Sequence, residues 1–529
     1  MRGYGLTGIA ALAIVAAPAA AQTTADPVEE VSVDQLQQRM RTGATSSVAI
    51  TQAYLARIAT IDRQGPTLRS VIATNPDALA QARALDEERR AGRVRGPLHG
   101  VPILIKDNIE TADAMATTAG SLALKDNVTR RDAPMIAYLR RAGAVILGKT
   151  NLSEWANIRS TRSMSGWSAV GGLVRNPYAL NRTACGSSSG SGAAIAASLA
   201  AVAVGTETDG SVVCPSSING LVGFKPTLGL VSRSRVVPIS HSQDTPGPMG
   251  RSVRDVALLL SAMAGPDPTD AATVRSVVRD YAAGLSAGAL KGKRVGVIRP
   301  AGMPVALAER LDAALKVLRA AGATLVEVTP PKLDGLGEAE LLVLKTELKA
   351  DLDAYLATTP AAVKTRTLEQ VIAFNRANAA AEMPFFGQEL FEAAAETKGL
   401  VDPTYRAARA TSLRLAGREG IDAMLKTARA DLLVEPTYAA AWLSDPVYGD
   451  QYGGPSASEL PAVAGYPHLT VPMGLVQGLP VGLSFIGTGG TDAAILSAGY
   501  AYEQRAQARV APRYLPQAAV VPGLEGAGR

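Results

Sequence analysis

Between residues 101 and 215, short, wholly apolar runs alternate with helix-like stretches and glycine-rich turns, and nothing else in the chain constrains its fold as strongly. Val101 to Ile105 (VPILI) is apolar and stops at Lys106, which reads as a buried strand with a charged residue at its tip. Residues 134–142 carry a helical pattern and 144–147 read as the next strand. Residues 181–191 are dense in Gly and Ser, and 192–202 are almost pure Ala, Ile and Leu, which predicts a tightly packed helix. Strands buried on both faces lose the usual polar alternation, so this pattern predicts an α/β sheet with buried strands.

The flanks fit one core interrupted by a helical segment. Helical patterns run through Val33, Leu36 and Met40, through Ile50, Tyr54 and Ile58, and over residues 78–93. From about 267 to 438 the chain turns Ala-, Leu- and Arg-rich and mostly helical, with a strand-like stretch at 294–298. Strand signals return at 432–434, 469–472 and 481–486, and a last helix covers 492–504. A net charge of +6 over 529 residues, with no Lys/Arg block, gives no footprint for nucleic acid.

The first residues predict export. Arg2 precedes an apolar stretch at 6–17, and Ala19-Ala20-Ala21 offers a small-residue cleavage site, so residues 1–21 read as a signal peptide and 22–30 as a polar linker. A secreted or periplasmic location follows. The stretch is too short to span a bilayer comfortably, and no later segment has about eighteen uninterrupted apolar residues, so stable membrane insertion is not expected. The two cysteines, Cys185 and Cys214, could form one disulfide or serve as two small buried hydrophobes.

Three generic motifs meet physical objections. Residues 143–150 (GAVILGKT) fit the phosphate-loop pattern, but the four residues between the glycines are themselves strand-like and cannot turn their amides toward a phosphate. Residues 186–190 (GSSSG) fit the nucleophile-elbow pattern, which needs an apolar strand just before it; NPYALNRTA is turn-like instead. The only histidines, His99, His241 and His468, offer no clear partner for a serine, and His468 sits in an apolar turn. Three scattered His and two Cys make no zinc-ligand spacing, so no metal is expected.

What remains is the run from Cys185 to Pro215, CGSSSGSGAAIAASLAAVAVGTETDGSVVCP. A single serine here would be a turn former or cap; a Ser/Gly loop, an Ala-rich stretch and a second Gly-bounded turn together are more particular. This run resembles the amidase signature family, with wording closest to the bacterial peptide amidases. The likeness extends to GVPILIKDN (100–108), to 143–151, to GLVGFKPT (220–227), to DTPGPM (244–249) and to 464–487. It covers roughly 30–260 and 430–505.

The resemblance implies a single large α/β domain, a mixed, mostly buried central sheet covered by helices on both faces. It would span 31–515, with core segments 31–265 and 430–510, a helical insert at about 267–430 and a tail at 516–529. It assigns Lys106, Ser187 and Ser211 to a Lys–Ser–Ser triad, with Ser187 at a cis peptide bond. Lysine can act as a base only when neutral, so its pKa must fall from about 10.4 toward roughly 7–8, which burial can achieve. The backbone amides of Thr208, Asp209, Gly210 and Ser211 would form the oxyanion hole, with the Asp209 side chain a turn former. Trp155, Ala156 and Asn157 could border the substrate pocket. The implied reaction is acyl transfer from a small-molecule or peptide amide, with no metal or organic cofactor. The rivals are the A-type component of a glutamine amidotransferase, working with partners on charged tRNA, and a non-catalytic binding protein on the same fold. If the two serines meet, the two cysteines come close. The oligomeric state stays open.

Overall fold

A computed structural model of the chain describes Met1 and residues 26–518. The predicted signal peptide beyond Met1, linker residues 22–25 and tail residues 519–529 lie outside these. Residues 26–30 are packed rather than linker-like: Val28 is buried, Arg57 pairs with Asp26, and Arg509 pairs with Glu30.

Beside a two-stranded sheet formed by Trp167–Ser168 and Gly172–Leu173, the main sheet among the described residues has eleven strands. In chain order these are β1 (Val71–Thr74), β2 (Pro102–Lys106), β3 (Val145–Thr150), β4 (Val202–Glu207), β5 (Val222–Lys225), β6 (Thr245–Gly250), β7 (Arg294–Ile298), β8 (Thr324–Val328), β9 (Leu432–Pro436), β10 (His468–Val476) and β11 (Leu479–Ile486). Their order across the sheet is β1-β3-β2-β4-β6-β5-β10-β11-β9-β7-β8. The sheet is mixed: β3, β2 and β4 run parallel, as do β9, β7 and β8, and antiparallel pairs join the two groups. β2, β3, β4 and β6 are buried at every position, and the apolar starts of the first three, PILI, VIL and VAV, fit strands covered on both faces.

One expectation is corrected. The helix predicted over 192–202 spans Ser189–Ala196, and Val202 opens β4 instead. A short apolar run has no period to separate helix from buried strand, and the valines at 202 and 204 favour the strand. The insert is mostly helical and holds the strand expected at 294–298 as β7; β8, which was not expected, pairs with it to extend the sheet at its edge, and helix Val305–Ala320 packs into the main core. The later insert helices, Leu336–Ala357, Leu368–Ala377 and Glu389–Ala395, form a second apolar cluster with Leu124, Trp155, Val237 and Ile239. Residues from the insert thereby reach the loops that follow β2, β3 and β5.

Candidate active site

Lys106 ends β2 and Glu207 ends the neighbouring parallel strand β4, so both stand where an α/β sheet presents its chemistry. Lys106 is fully buried. Its Nζ donates to Ser187 Oγ at 2.7 Å, to Thr206 Oγ1 at 2.8 Å and to Thr206 O at 3.2 Å. Burial pushes its pKa down to about 7, against the opposing pull of Asp244 and Glu207. Asn108, two residues on, donates to Thr206 Oγ1 at 3.0 Å.

Ser187 follows a cis peptide bond after Gly186. Its loop is held from several sides. Ser153 N–H donates to Ser187 O at 3.0 Å, Ser188 Oγ exchanges hydrogen bonds with the Thr206 backbone, and Ser188 N–H donates to Ser211 O at 3.1 Å. Ser187 Oγ and Ser211 Oγ make no direct hydrogen bond. Cys185 and Cys214, two residues before one serine and three after the other, are joined in a disulfide, so of the two readings the disulfide holds over two unlinked buried hydrophobes.

The turn 208–211 is fixed from outside. Glu207 accepts from Val212 N at 2.7 Å and Val213 N at 2.9 Å, capping the helix Val213–Ile218. Asp244 accepts from Thr208 Oγ1 at 2.6 Å and from the amides of Ile239 and Ser240; burial raises its pKa to about 6. With these anchors in place, the amides of Thr208, Asp209, Gly210 and Ser211 donate to no group among the described residues. Gly210 holds φ +74°, and a Cβ there would collide with the Tyr438 hydroxyl, so only glycine fits. The Asp209 carboxylate makes no hydrogen bond to its own turn, which corrects its reading as a turn former. It is accessible to water although it lies deep in the fold, near Ser458 and Glu340. Glu340, from the insert, accepts from Gln243 Nε2, which also reaches Thr208 O; burial and Asp209 push Glu340 up to about 8.

Trp155, Ala156 and Asn157 form three consecutive left-handed residues, with φ of 49°, 53° and 76°. Trp155 is only 3% exposed and packs edge-on against Phe391 of the insert, so its indole belongs to a core, not to a pocket wall. Ala156 and Asn157 are half-buried, and Asn157 donates to Ser165 Oγ.

Across the described chain, the model for the family described as Amidase matches residues 49–496. The chain belongs to the amidase signature family. A solved structure, the native peptide amidase of Stenotrophomonas maltophilia, is 52% identical, with a TM-score of 0.88 over 92% of this chain and 99% of that one. A probable amidase of Arabidopsis thaliana is 37% identical over 92% of both chains. The A-type component of the glutamyl-tRNA(Gln) amidotransferase of Thermobifida fusca is 35% identical over 90% of this chain and 95% of its own. The protein is a hydrolase acting on amide bonds.

Within this amidase the rival motifs find other roles. The VILGKT of GAVILGKT is buried strand β3, and Lys149 spends its Nζ on Ile109 O at 2.6 Å and Thr117 Oγ1 at 2.9 Å. His468 is buried against Ser484 Oγ at 2.6 Å, and burial pushes its pKa down to about 3. His99 is buried against Leu85 O. His241 pairs with Asp351 beside Glu347, whose carboxylate is already taken up by Ser240, Ser242 and Tyr405. No histidine touches Ser187 or Ser211. Thr206, Glu207, Gln243 and Glu340 were missed by sequence reasoning. Glu207 and Thr206 stood inside the quoted GTETDGS run; Glu340, in the variable insert, left no signal.

Proposed function

We propose that this amidase is exported and hydrolyses carboxamides, either C-terminal peptide amides or small amides, to carboxylate and ammonia through an acyl-enzyme. Ser211 is the nucleophile, Ser187 the relay and Lys106 the base. The observation that carries this reading is the 2.7 Å contact of a fully buried Lys106 Nζ with Ser187 Oγ.

A charged Lys106 donates to all three of its neighbours. When neutral it keeps two N–H groups, which Thr206 O and Thr206 Oγ1 can accept, and its lone pair faces Ser187 Oγ. Ser187 then gives its proton to Lys106 and takes one from Ser211 as Ser211 Oγ attacks the amide carbonyl. The free amides of the 208–211 turn receive the negative charge on the carbonyl oxygen; one such donor is typically worth about 3–4 kcal/mol. The proton returns through Ser187 to the leaving nitrogen, ammonia departs, and water cleaves the ester on Ser211 by the same path. Ala156 and Asn157 border the substrate.

The peptide-amide leaning is supported by 52% identity to a peptide amidase, against 35% to the tRNA-dependent relative. Export is supported by the apolar stretch at 6–17 before Ala19-Ala20-Ala21, and by a disulfide of the kind that persists in oxidising compartments. No helix among the described residues is long and apolar enough to cross a membrane. The purified single chain should release ammonia from peptide amides without partner chains. Strict preference for long-chain fatty amides, or dependence on a partner and charged tRNA, would contradict the proposal. Amino-terminal sequencing of the protein from a periplasmic fraction should start at Gln22.

A further inference from the structure

Two loops carry the serines of this site, and two links join them. Among the described residues, the only hydrogen bond between 185–188 and 208–214 is Ser188 N–H to Ser211 O, and the only covalent link is Cys185–Cys214. Each loop is otherwise anchored at the end of β4, on neighbouring residues, and on one group outside it. The first hangs on the Thr206 backbone through Ser188 Oγ and on Ser153; the second hangs on Glu207 and Asp244.

We propose that the Cys185–Cys214 disulfide is a positioning element of the reaction, holding the Ser187 loop at a fixed distance from the Ser211 loop. The inference rests on the roles given to those serines above. Three observations favour positioning over bulk stabilisation. The bridge closes only 29 residues, all within one strand-helix unit that β4 and the helix Ser189–Ala196 already order. Asn219 independently joins the ends of that unit, donating to Ala184 O at 3.0 Å and Pro215 O at 2.7 Å. Cys185 holds φ +54°, a left-handed conformation that residues other than glycine rarely adopt, two residues before Ser187. The bridge is also buried, with Cys185 at 5% and Cys214 at 1% exposure, against Ile218, Ala441, Tyr438 and Trp442. Tyr438 in turn stands over Gly210. The disulfide therefore links the relay loop, the nucleophile loop and the wall beside the oxyanion turn.

The test compares wild type with the double variant Cys185→Ala/Cys214→Ala on one peptide amide, and measures the rate at which a fluorophosphonate labels Ser211. Misplacement of reacting groups by about 1 Å can cost about a hundredfold. The variant should stay folded by circular dichroism at the assay temperature, lose about ten- to a hundredfold in kcat with KM changed less than about twofold, and label more slowly in proportion. A folded variant with wild-type kcat and labelling rate overturns the inference. So does a loss that matches the unfolded fraction alone. A second arm avoids the variant: a phosphine reductant opens the bridge of the wild-type protein, the disulfide becoming two thiols and the phosphine its oxide. Activity should fall with the count of free thiols and return on reoxidation by oxidised glutathione; full activity with two free thiols overturns the inference. Wild type labelled somewhere other than Ser211 overturns the nucleophile assignment itself, whereas labelling at Ser211 with an indifferent double variant overturns only the role of the bridge.

Discussion

Lys106 Nζ lies 2.7 Å from Ser187 Oγ at the buried end of β2, with no carboxylate within ion-pair distance among the described residues. Asp244 and Glu207 act on it only from farther away. A lysine placed this way gives up its proton far more easily than one in water, because burial penalises the ammonium form.

Activity should therefore follow the neutral form of Lys106. With its pKa near 7, kcat/KM should rise as pH increases through about 7 and level off above it. Lys106→Arg, which cannot deprotonate, should be inactive at every pH although it keeps the charge. A rate profile flat from pH 6 to 9 in the wild type would contradict a lysine base.

Asp244 fixes the 208–211 turn from outside it. It accepts from Thr208 Oγ1, Ile239 N and Ser240 N, and an asparagine can offer only one oxygen to these three donors. Asp244→Asn should lower kcat about tenfold, in keeping with about 1–3 kcal/mol for a mispaired buried group, while KM stays close to wild type. Steady-state kinetics on one peptide amide checks this; an unchanged kcat would contradict it.

Arg159 fastens the insert to the core. It is fully buried, bonds the Glu154 carboxylate and the Glu382 carbonyl, and lies 4.4 Å over the Phe386 ring. Burial raises the pKa of Glu154 well above its usual range, with Arg159 opposing that rise. Removing the guanidinium leaves buried acids without their cation, so Arg159→Ala should cost about 3–5 kcal/mol in urea unfolding. A loss below about 1 kcal/mol would show that the network is not holding the insert.

His241 gives a pH-dependent contribution of known sign. Its hydrogen bond to Asp351, with further attraction from Asp351 and Glu347, raises its pKa above the usual histidine value. A raised folded-state pKa adds stability that is fully present below the unfolded value of about 6.5 and fades as pH rises through the folded value. The difference in Tm between wild type and His241→Gln should be larger at pH 6 than at pH 9. A difference independent of pH would contradict the pairing.

Much of this was legible from residue order because the chemistry is local to short runs. VPILIK announced a buried strand with a lysine at its tip, and GTETDGS announced the turn that β4 delivers. The boundary between helix Ser189–Ala196 and β4 was not legible, since an unbroken apolar run carries neither a period of 3.6 nor one of 2. The disulfide was open for a different reason: spacing along the chain does not give distance in space. Trp155 was assigned to the pocket from its place after β3, but contact with Phe391, more than two hundred residues on, decides its burial. Glu340 reached the site through the same kind of long-range packing, which only the folded insert provides.

The central claim is that Ser211 attacks the amide. Steady-state ammonia release by Ser211→Ala, measured on a peptide amide against wild type under the same conditions, tests it most directly. The account predicts a fall in kcat of about 10⁴-fold or more with the fold intact. Hydrolysis by Ser211→Ala at near the wild-type rate would contradict it.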